Sequence, residues 1–304
     1  MSAGTAGHVA RSTVRPNSET IRRTPLRTFL HTDDGVTIDS VYEPGAAVYD
    51  ASRSPSGDPV FVVAHGFTGD VDKPHVRRVA EAFAQYGAVV TFSFRGHGAS
   101  GGRSTVGDRE VLDLAAGVAW ARAQGHARVV TVGFSMGGSV VLRHAALYGP
   151  RPSEGSPGDS DGPGREGRTE AHMQAHTDAV VSVSAPARWY YRGTAPMRKV
   201  HWLVTRPEGR LVGRYGLNTR IERGGWDPVP LSPVEVVPCI APTPLLIVHG
   251  DRDGYFPVDH PRMLAEAAGD HAELWLEPGM GHAEHASADD LLARIGRWGS
   301  AQES

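Results

Sequence analysis

The fold is decided by the stretch Val129-Val130-Thr131-Val132-Gly133-Phe134-Ser135-Met136-Gly137-Gly138. Its first four residues are apolar or β-branched, which is typical of a buried strand. Apolar residues then recur at helical spacing from Gly138 to Tyr148, which predicts a helix. A Gly-x-Ser-x-Gly pattern between a strand and a helix presents its serine above the edge of the sheet. We therefore predict that Ser135 is a nucleophile; the alternative is a serine with only a structural role in the turn.

Composition indicates an ordinary globular protein. The 304 residues are 40% hydrophobic and 21% charged, with a formal net charge of -3, so no basic field exists to attract nucleic acid. Cys239 is the single cysteine, which excludes an intramolecular disulfide and a cysteine metal cluster. Because its neighbours are Pro238 and Ile240, we expect Cys239 to be a small core residue.

The first 24 residues are rich in Ser, Thr, Gly and Arg and are predicted to be a disordered tail. They contain no apolar run of the length that a signal peptide needs, and no window of the chain suits a membrane span. The pair Arg22-Arg23 is not followed by a hydrophobic region. We therefore expect a cytoplasmic location.

Buried strands alternate with amphipathic helices along most of the chain. A hairpin with alternating apolar residues, one face of it solvated, is predicted over Leu26–Leu30 and Val36–Tyr42. Further strands are predicted at Val60–Ala64, Ala88–Phe94, Val129–Val132, Ala179–Ser184, Leu245–Val248 and Ala272–Leu276. Helices are predicted at Pro74–Tyr86, Asp108–Ala123, Gly138–Tyr148, Asp259–Ala268 and Ala286–Trp298. The alternation predicts a single α/β domain over about 25–300, with a mostly parallel, doubly wound sheet.

Two segments interrupt this alternation. The segment at about 150–172 consists almost entirely of polar residues, proline and glycine. We predict that it is a flexible surface insertion. His172 and His176 next to it are four residues apart, but the chain shows no further ligand cluster, so a metal site is not favoured. Residues of about 186–233 are predicted to form a small cap over the sheet; the alternative is a peripheral helical pair.

A nucleophilic serine needs a histidine base and a carboxylate that orients it. Asp253 and His282 each follow a predicted strand, where open α/β sheets place their sites. Asp251 is the alternative acid, with a predicted role in bracing its loop, and His285 is the alternative base at the start of the last helix. We predict the triad Ser135, Asp253 and His282.

An oxyanion hole needs two backbone N–H groups that face the tetrahedral intermediate. Met136, the residue after the nucleophile, is predicted to supply one of them. Phe67, in the loop after the Val60–Ala64 strand, is predicted to supply the other. We expect His65 in the same loop to be a hydrogen-bonded structural residue.

Together these motifs resemble the α/β-hydrolase superfamily over about Pro25 to Trp298. The resemblance rests on His65-Gly66-Phe67-Thr68-Gly69, Arg95-Gly96-His97-Gly98-x-Ser100-x-Gly102, the Ser135 turn, His249-Gly250-x-x-Asp253-x-x-x-Pro257 and Gly281-His282. The chain is most similar to small-capped carboxylesterases, including feruloyl-esterase-like and serine-aminopeptidase-like hydrolases. Ser93 is a departure, because many relatives carry an aspartate there, and it puts in question how Arg95 is held. Arg95 and His97 are expected to be turn residues.

The resemblance implies an eight-stranded sheet with helices on both faces and hydrolysis of a small-molecule carboxylic ester through an acyl-enzyme. It implies that neither a metal nor an organic cofactor is required. The cap contains the aromatic residues Trp189, Tyr190, Tyr191, Trp202, Tyr215 and Trp226. Between Arg188 and Arg223 it also has two acidic residues, Glu208 and Glu222, against nine basic ones, namely Arg188, Arg192, Arg198, Lys199, Arg206, Arg210, Arg214, Arg220 and Arg223. Such a cap suits a carboxylate-bearing ester, or is only a solvated face.

Three other functions are compatible with these residues. A peptidase or amidase would need acidic residues near the pocket to hold a substrate amine, and the cap has few of them. Thioester hydrolysis or acyl transfer would use the same triad. A non-catalytic binding protein on the same fold is disfavoured, because every catalytic residue type is present.

Overall fold

The computed structural model describes residues 24–45, 58–149 and 174–302. Within these ranges a single eight-stranded sheet has the order β1-β2-β4-β3-β5-β6-β7-β8. The strands are β1 (Leu26–His31), β2 (Thr37–Glu43), β3 (Val60–Ala64), β4 (Ala88–Phe92), β5 (Val129–Phe134), β6 (Ala179–Val183), β7 (Leu245–Gly250) and β8 (Ala272–Glu277). The β1–β2 and β2–β4 pairs are antiparallel and the other pairs are parallel. The predicted mostly parallel α/β sheet is confirmed.

The central strands are buried because helices cover both faces of the sheet. One face is covered by α1 (Pro74–Phe83), α8 (Ala283–Ala286) and α9 (Asp289–Ala301), whose apolar side chains pack on β3, β5 and β6. The other face is covered by α2 (Glu110–Ala123), α3 (Met136–Tyr148), α6 (Pro233–Val236) and α7 (Asp259–Ala268). Strands β3 to β7 are therefore buried along their whole length rather than on one face only.

Four sequence-based expectations differ from the structure. Strand β2 is largely buried instead of alternating, because it lies between β1 and β4 in the sheet. The last helix begins at Asp289 rather than Ala286, and His285 lies in the short helix α8. The helix after β3 ends at Phe83, before Tyr86. Cys239 is exposed, because the turn at Val237–Cys239 buries Val237 and turns the cysteine outward.

The segment that follows β6 leaves the sheet and carries the helices α4 (Ala195–Thr205) and α5 (Pro207–Gly216). It returns to the body of the domain through β-bridges between Thr219 and His97 and between Ile221 and Ser104. We keep the name cap for residues 186–232. Residues 1–23 of the predicted tail and the whole of the predicted insertion at about 150–172 lie outside the described residues. Within the described ranges, every helix is too short or too polar to cross a lipid bilayer.

Candidate active site

Ser135 lies at the tight turn between β5 and α3. Its backbone has φ 53° and ψ −112°, a strained conformation for a non-glycine residue. The turn closes only because its flanking residues have no side chains. A Cβ on Gly133 would lie 2.1 Å from the Gly137 carbonyl oxygen, and a Cβ on Gly137 would lie 2.2 Å from the Ala64 carbonyl oxygen. The structure thus holds the Ser135 side chain at the carboxyl edge of the sheet.

The structure brings the three residues of the predicted triad together. His282 Nε2 lies 2.9 Å from Ser135 Oγ, and His282 Nδ1 lies 2.8 Å from Asp253 Oδ2. An ionised carboxylate can only accept, so Nδ1 carries the ring proton and donates it to Asp253. The lone pair of Nε2 then faces the Ser135 hydroxyl, as a general base requires.

Backbone donors hold the Asp253 carboxylate in place. Its Oδ1 accepts hydrogen bonds from the N–H groups of Tyr255 and Phe256 at 2.8 and 3.1 Å. Burial by itself raises the pKa of Asp253, but the hydrogen bonds from His282 and from these two N–H groups outweigh burial and bring the pKa below its usual value. The side chain is therefore ionised at neutral pH and stabilises a protonated His282.

The alternative acid and base occupy other positions. Asp251 Oδ1 accepts the Gly279 N–H at 2.7 Å, which ties the turn after β7 to the loop that leads to His282. The ring of His285 packs 3.8 Å from that of His75. Neither Asp251 nor His285 contacts Ser135, so the geometry favours Asp253 and His282.

The two residues predicted to supply the oxyanion donors, Phe67 and Met136, line the same cavity as Ser135. Met136 is the first residue of α3, where backbone N–H groups have no partner within the helix. The loop that contains Phe67 passes close to the serine, since a Cβ on Gly66 would lie 3.5 Å from Ser135 Cβ. The Gly66 N–H itself donates to Glu284 Oε1 at 2.9 Å and is therefore occupied.

Comparisons with known proteins agree with this geometry. The model of the Alpha/beta hydrolase family matches residues 61–295. The chain belongs to this family. A monoacylglycerol lipase from Mycolicibacterium smegmatis is 30% identical over an alignment of 257 residues that covers 77% of this chain and 85% of the lipase. These two matches confirm the predicted superfamily and the predicted enzyme class, a carboxylic ester hydrolase.

Solved structures share the fold of this α/β-hydrolase at low identity. An esterase from Pyrococcus furiosus superimposes with a TM-score of 0.63 at 21% identity, covering 92% of each chain. An esterase from Butyrivibrio proteoclasticus, solved with ferulic acid, gives a TM-score of 0.52 at 18% identity and covers 90% of this chain and 96% of its own. Both show a common fold.

His65 supports the loop beside Ser135. Its Nδ1 lies 2.7 Å from the Gly66 carbonyl oxygen and its Nε2 accepts the Phe94 N–H at 3.0 Å. Burial and the nearby His97 lower the pKa of His65 to about 3, so the ring is neutral. These contacts agree with the structural role expected for it.

The loop after β4 is also held by buried polar contacts. Arg95 donates to Asp113 and to Asp34, at 2.7 to 2.9 Å, and is almost fully buried. His97 Nδ1 lies 3.0 Å from the Arg95 carbonyl oxygen. Ser93 Oγ accepts the Val71 N–H at 3.1 Å and does not contact Arg95. With a serine at position 93, the Arg95 side chain is held instead by the carboxylates of Asp34 and Asp113.

Two residues near the triad were not found from the sequence. Glu284 is buried and holds the loop after β3 through the Gly66 N–H. The ring of Tyr255 stacks on that of His282, with centroids 4.1 Å apart and an interplanar angle of 23°. Each lies two residues from a member of the predicted triad, but no periodicity or motif indicates their contacts, which depend on how separate loops meet.

Ser135 and His282 open into a cavity of about 1510 Å³ between the sheet and the cap. Of the six cap aromatics, five line it, namely Trp189, Tyr190, Tyr191, Trp202 and Trp226. Tyr215 instead is 77% exposed. Five of the nine basic cap residues also line it, namely Arg188, Arg192, Lys199, Arg210 and Arg223. Aromatic and basic residues of the cap therefore both line the cavity.

Proposed function

We propose that this hydrolase cleaves a carboxylic ester through an acyl-enzyme formed on Ser135. The observation that carries the proposal is the chain of hydrogen bonds from Ser135 through His282 to Asp253, at 2.9 and 2.8 Å. These lengths allow a proton to move from the hydroxyl to the imidazole as the nucleophile attacks. A buried, ionised Asp253 favours the imidazolium that results.

The reaction has two halves that use the same residues. Ser135 Oγ attacks the ester carbonyl while His282 Nε2 takes its proton, and the N–H groups of Phe67 and Met136 stabilise the oxyanion. His282 then protonates the departing alcohol, which leaves an acyl group on Ser135. A water molecule that gives its proton to His282 releases the acid and restores the serine. The loss of one oxyanion donor costs about 3 kcal/mol of transition-state stabilisation.

We infer that the substrate is a glycerol ester of a long-chain fatty acid. The cavity of about 1510 Å³ is larger than the pockets of about 300–1,000 Å³ that hold drug-sized ligands. Trp189, Met197 and Trp202 offer apolar surface to an acyl chain. A monoacylglycerol lipase is among the relatives of the chain, and its name supports the same substrate class.

A substrate panel tests the proposal. We expect turnover of a monoacylglycerol and of short aryl esters, and a loss of at least about four orders of magnitude in kcat for Ser135→Ala. Ser300→Ala, which removes a serine hydroxyl on α9 outside the cavity, is the matched control and retains activity.

The same panel separates the alternatives. Turnover confined to aminoacyl amides would assign the protein as a peptidase, and turnover confined to thioesters would assign a thioesterase. A serine-directed phosphonate should label the folded protein at Ser135. Absence of both labelling and turnover would leave a binding protein on a hydrolase fold, and activity that survives Ser135→Ala would overturn the mechanism.

A further inference from the structure

A second, smaller cavity lies under helix α5 of the cap. Its volume is about 350 Å³, and it is lined by Pro207, Leu211, Ile221 and the five arginines Arg103, Arg210, Arg214, Arg220 and Arg223. None of the lining residues is acidic. We call this group of five side chains the arginine cluster.

Three members of the arginine cluster lie on backbone that is held in place by hydrogen bonds. The Arg220 N–H donates to the Gly96 carbonyl oxygen at 2.7 Å, and the Arg220 carbonyl oxygen accepts the Ser104 N–H at 2.7 Å. The bridge between Ser104 and Ile221 continues this pairing. Arg103, Arg220 and Arg223 are therefore carried by two chain segments that are hydrogen-bonded to each other.

The remaining two members come from one face of α5. Arg210 and Arg214 are four residues apart, so their side chains project from adjacent turns on the same side of the helix. Both reach the same cavity as the anchored segment. The cluster thus converges from a helix on one side and a paired loop on the other.

The charges of the arginine cluster are not neutralised by protein carboxylates. Among the described residues, none of the five guanidinium groups has a carboxylate oxygen within 4.0 Å. Arg210 donates to the carbonyl oxygens of Val204 and Thr205, and Arg220 donates to that of Ser100.

Two details add to this charge imbalance. The Nε of Arg220 is buried and has no hydrogen-bond partner in the described structure. The neighbouring Glu222 accepts the backbone N–H of Arg223 at 2.7 Å and does not line the cavity. Several like charges around one small cavity repel each other, so an anion in the cavity would stabilise this arrangement.

We propose that the arginine cluster binds a phosphate group. Guanidinium groups present planar pairs of N–H donors that match phosphate oxygens two at a time, and several of them can surround one phosphate. The ligand is a phosphate monoester or diester, either on a soluble molecule or on a phospholipid headgroup. Leu211 and Ile221 supply apolar contact for the group that carries the phosphate.

The arginine cluster adjoins the cavity of Ser135. Arg103, Arg210, Ile221 and Arg223 line both cavities. A bound phosphate would therefore lie at the cap end of the space proposed for substrate. The binding itself does not depend on the proposed esterase activity and can be measured with Ser135→Ala protein.

Calorimetric titration of the full-length chain with pyrophosphate tests the proposal. We expect saturable binding, and a loss of at least about tenfold in affinity for the double variant Arg214→Gln/Arg223→Gln. Both arginines are exposed, so the variant keeps the buried contacts of the fold. The control is Arg198→Gln/Arg206→Gln, which removes the same charge from exposed cap positions outside the second cavity.

The titrations of the two double variants decide whether the arginine cluster is a phosphate site. No binding of pyrophosphate, an equal loss in both double variants, or equally tight binding of succinate would overturn the assignment of a phosphate site. A loss confined to Arg214→Gln/Arg223→Gln would support it.

Two further probes identify the source of the phosphate. Flotation with phosphatidylglycerol vesicles, compared with phosphatidylcholine vesicles, reports a headgroup ligand, and titration with glycerol 3-phosphate reports a soluble one. Whichever probe binds should lose affinity in Arg214→Gln/Arg223→Gln and keep it in the control. Failure of both probes would overturn a phosphate ester as the ligand.

Discussion

The carboxylate of Glu284 accepts the backbone N–H of Gly66 at 2.9 Å and so joins the loop that precedes Phe67 to the loop that carries His282. One contact thereby connects the proposed base to the proposed oxyanion hole. The Gly66 position is tight as well, because a Cβ there would lie 3.1 Å from Glu284 Oε1 and 3.5 Å from Ser135 Cβ.

Glu284→Ala should lower kcat by about a hundredfold and leave KM within about threefold, because the Phe67 N–H would lose its fixed position in the transition state. Glu284→Gln keeps an acceptor for the Gly66 N–H and should restore most of the loss. Steady-state kinetics on a short aryl ester measure both values. The exposed Glu266→Ala, outside the cavity, is the control, and a Glu284→Gln variant as impaired as Glu284→Ala would contradict a positioning role.

Tyr255→Ala should slow acylation roughly tenfold, because the ring that stacks on His282 at 4.1 Å restricts its orientation. Tyr255→Phe retains the ring and should behave like the unaltered protein. The rate of labelling by a serine-directed phosphonate reports the effect without product release. Equal rates in all three proteins would show that Asp253 alone orients His282.

Gly96→Ala should reduce the free energy of unfolding by at least about 2 kcal/mol. Gly96 has φ 77°, and a Cβ there would lie 2.4 Å from both the Arg220 carbonyl oxygen and the Ser104 nitrogen, which would separate the cap from the loop after β4. Urea unfolding measures the loss. Gly35→Ala is the matched control, since it has φ 78° but no atom within 4 Å of its Cβ, so a loss as large there would attribute the effect to φ alone.

Acidification should destabilise the protein through His65. Burial lowers its pKa to about 3 in the folded state, against about 6.5 when unfolded, so between these values only the unfolded chain binds the proton. Stability from this group is therefore complete above pH 6.5 and decreases as the pH falls, by about 2 kcal/mol at pH 5.

The variant His65→Gln tests whether proton binding by His65 causes the loss of stability in acid. A glutamine amide can donate to the Gly66 carbonyl oxygen and accept the Phe94 N–H, so the two hydrogen bonds remain available without a titrating group. Urea unfolding at pH 7 and pH 5 should show a smaller acid-induced loss in His65→Gln than in the unaltered protein. The exposed His31→Gln should keep the full loss, and an unchanged difference in His65→Gln would show that other groups, including the buried His97, cause it.

The local sequence pattern was sufficient to predict the strands and the turn that hold the site residues. The apolar runs before Ser135 and Asp253 predicted β5 and β7, because parallel strands covered on both faces need no polar residues. The glycines around Ser135 predicted the tight turn, because close backbone approach requires them. Chain order and the position of each residue after a strand indicated the triad, since parallel strands end at one edge of the sheet.

Contacts between distant segments were decided only by the tertiary structure. The burial of β2 follows from its place between β1 and β4, and the exposure of Cys239 follows from a turn that buries Val237. The contact of Glu284 with Gly66 spans 218 positions, and the arginine cluster combines Arg103 with four arginines from positions 210 to 223. Side-chain periodicity reports which face of an element is buried, but it carries no information on which loops meet. The sequence by itself therefore determined the hydrolase fold and its serine, and only packing decided what surrounds them.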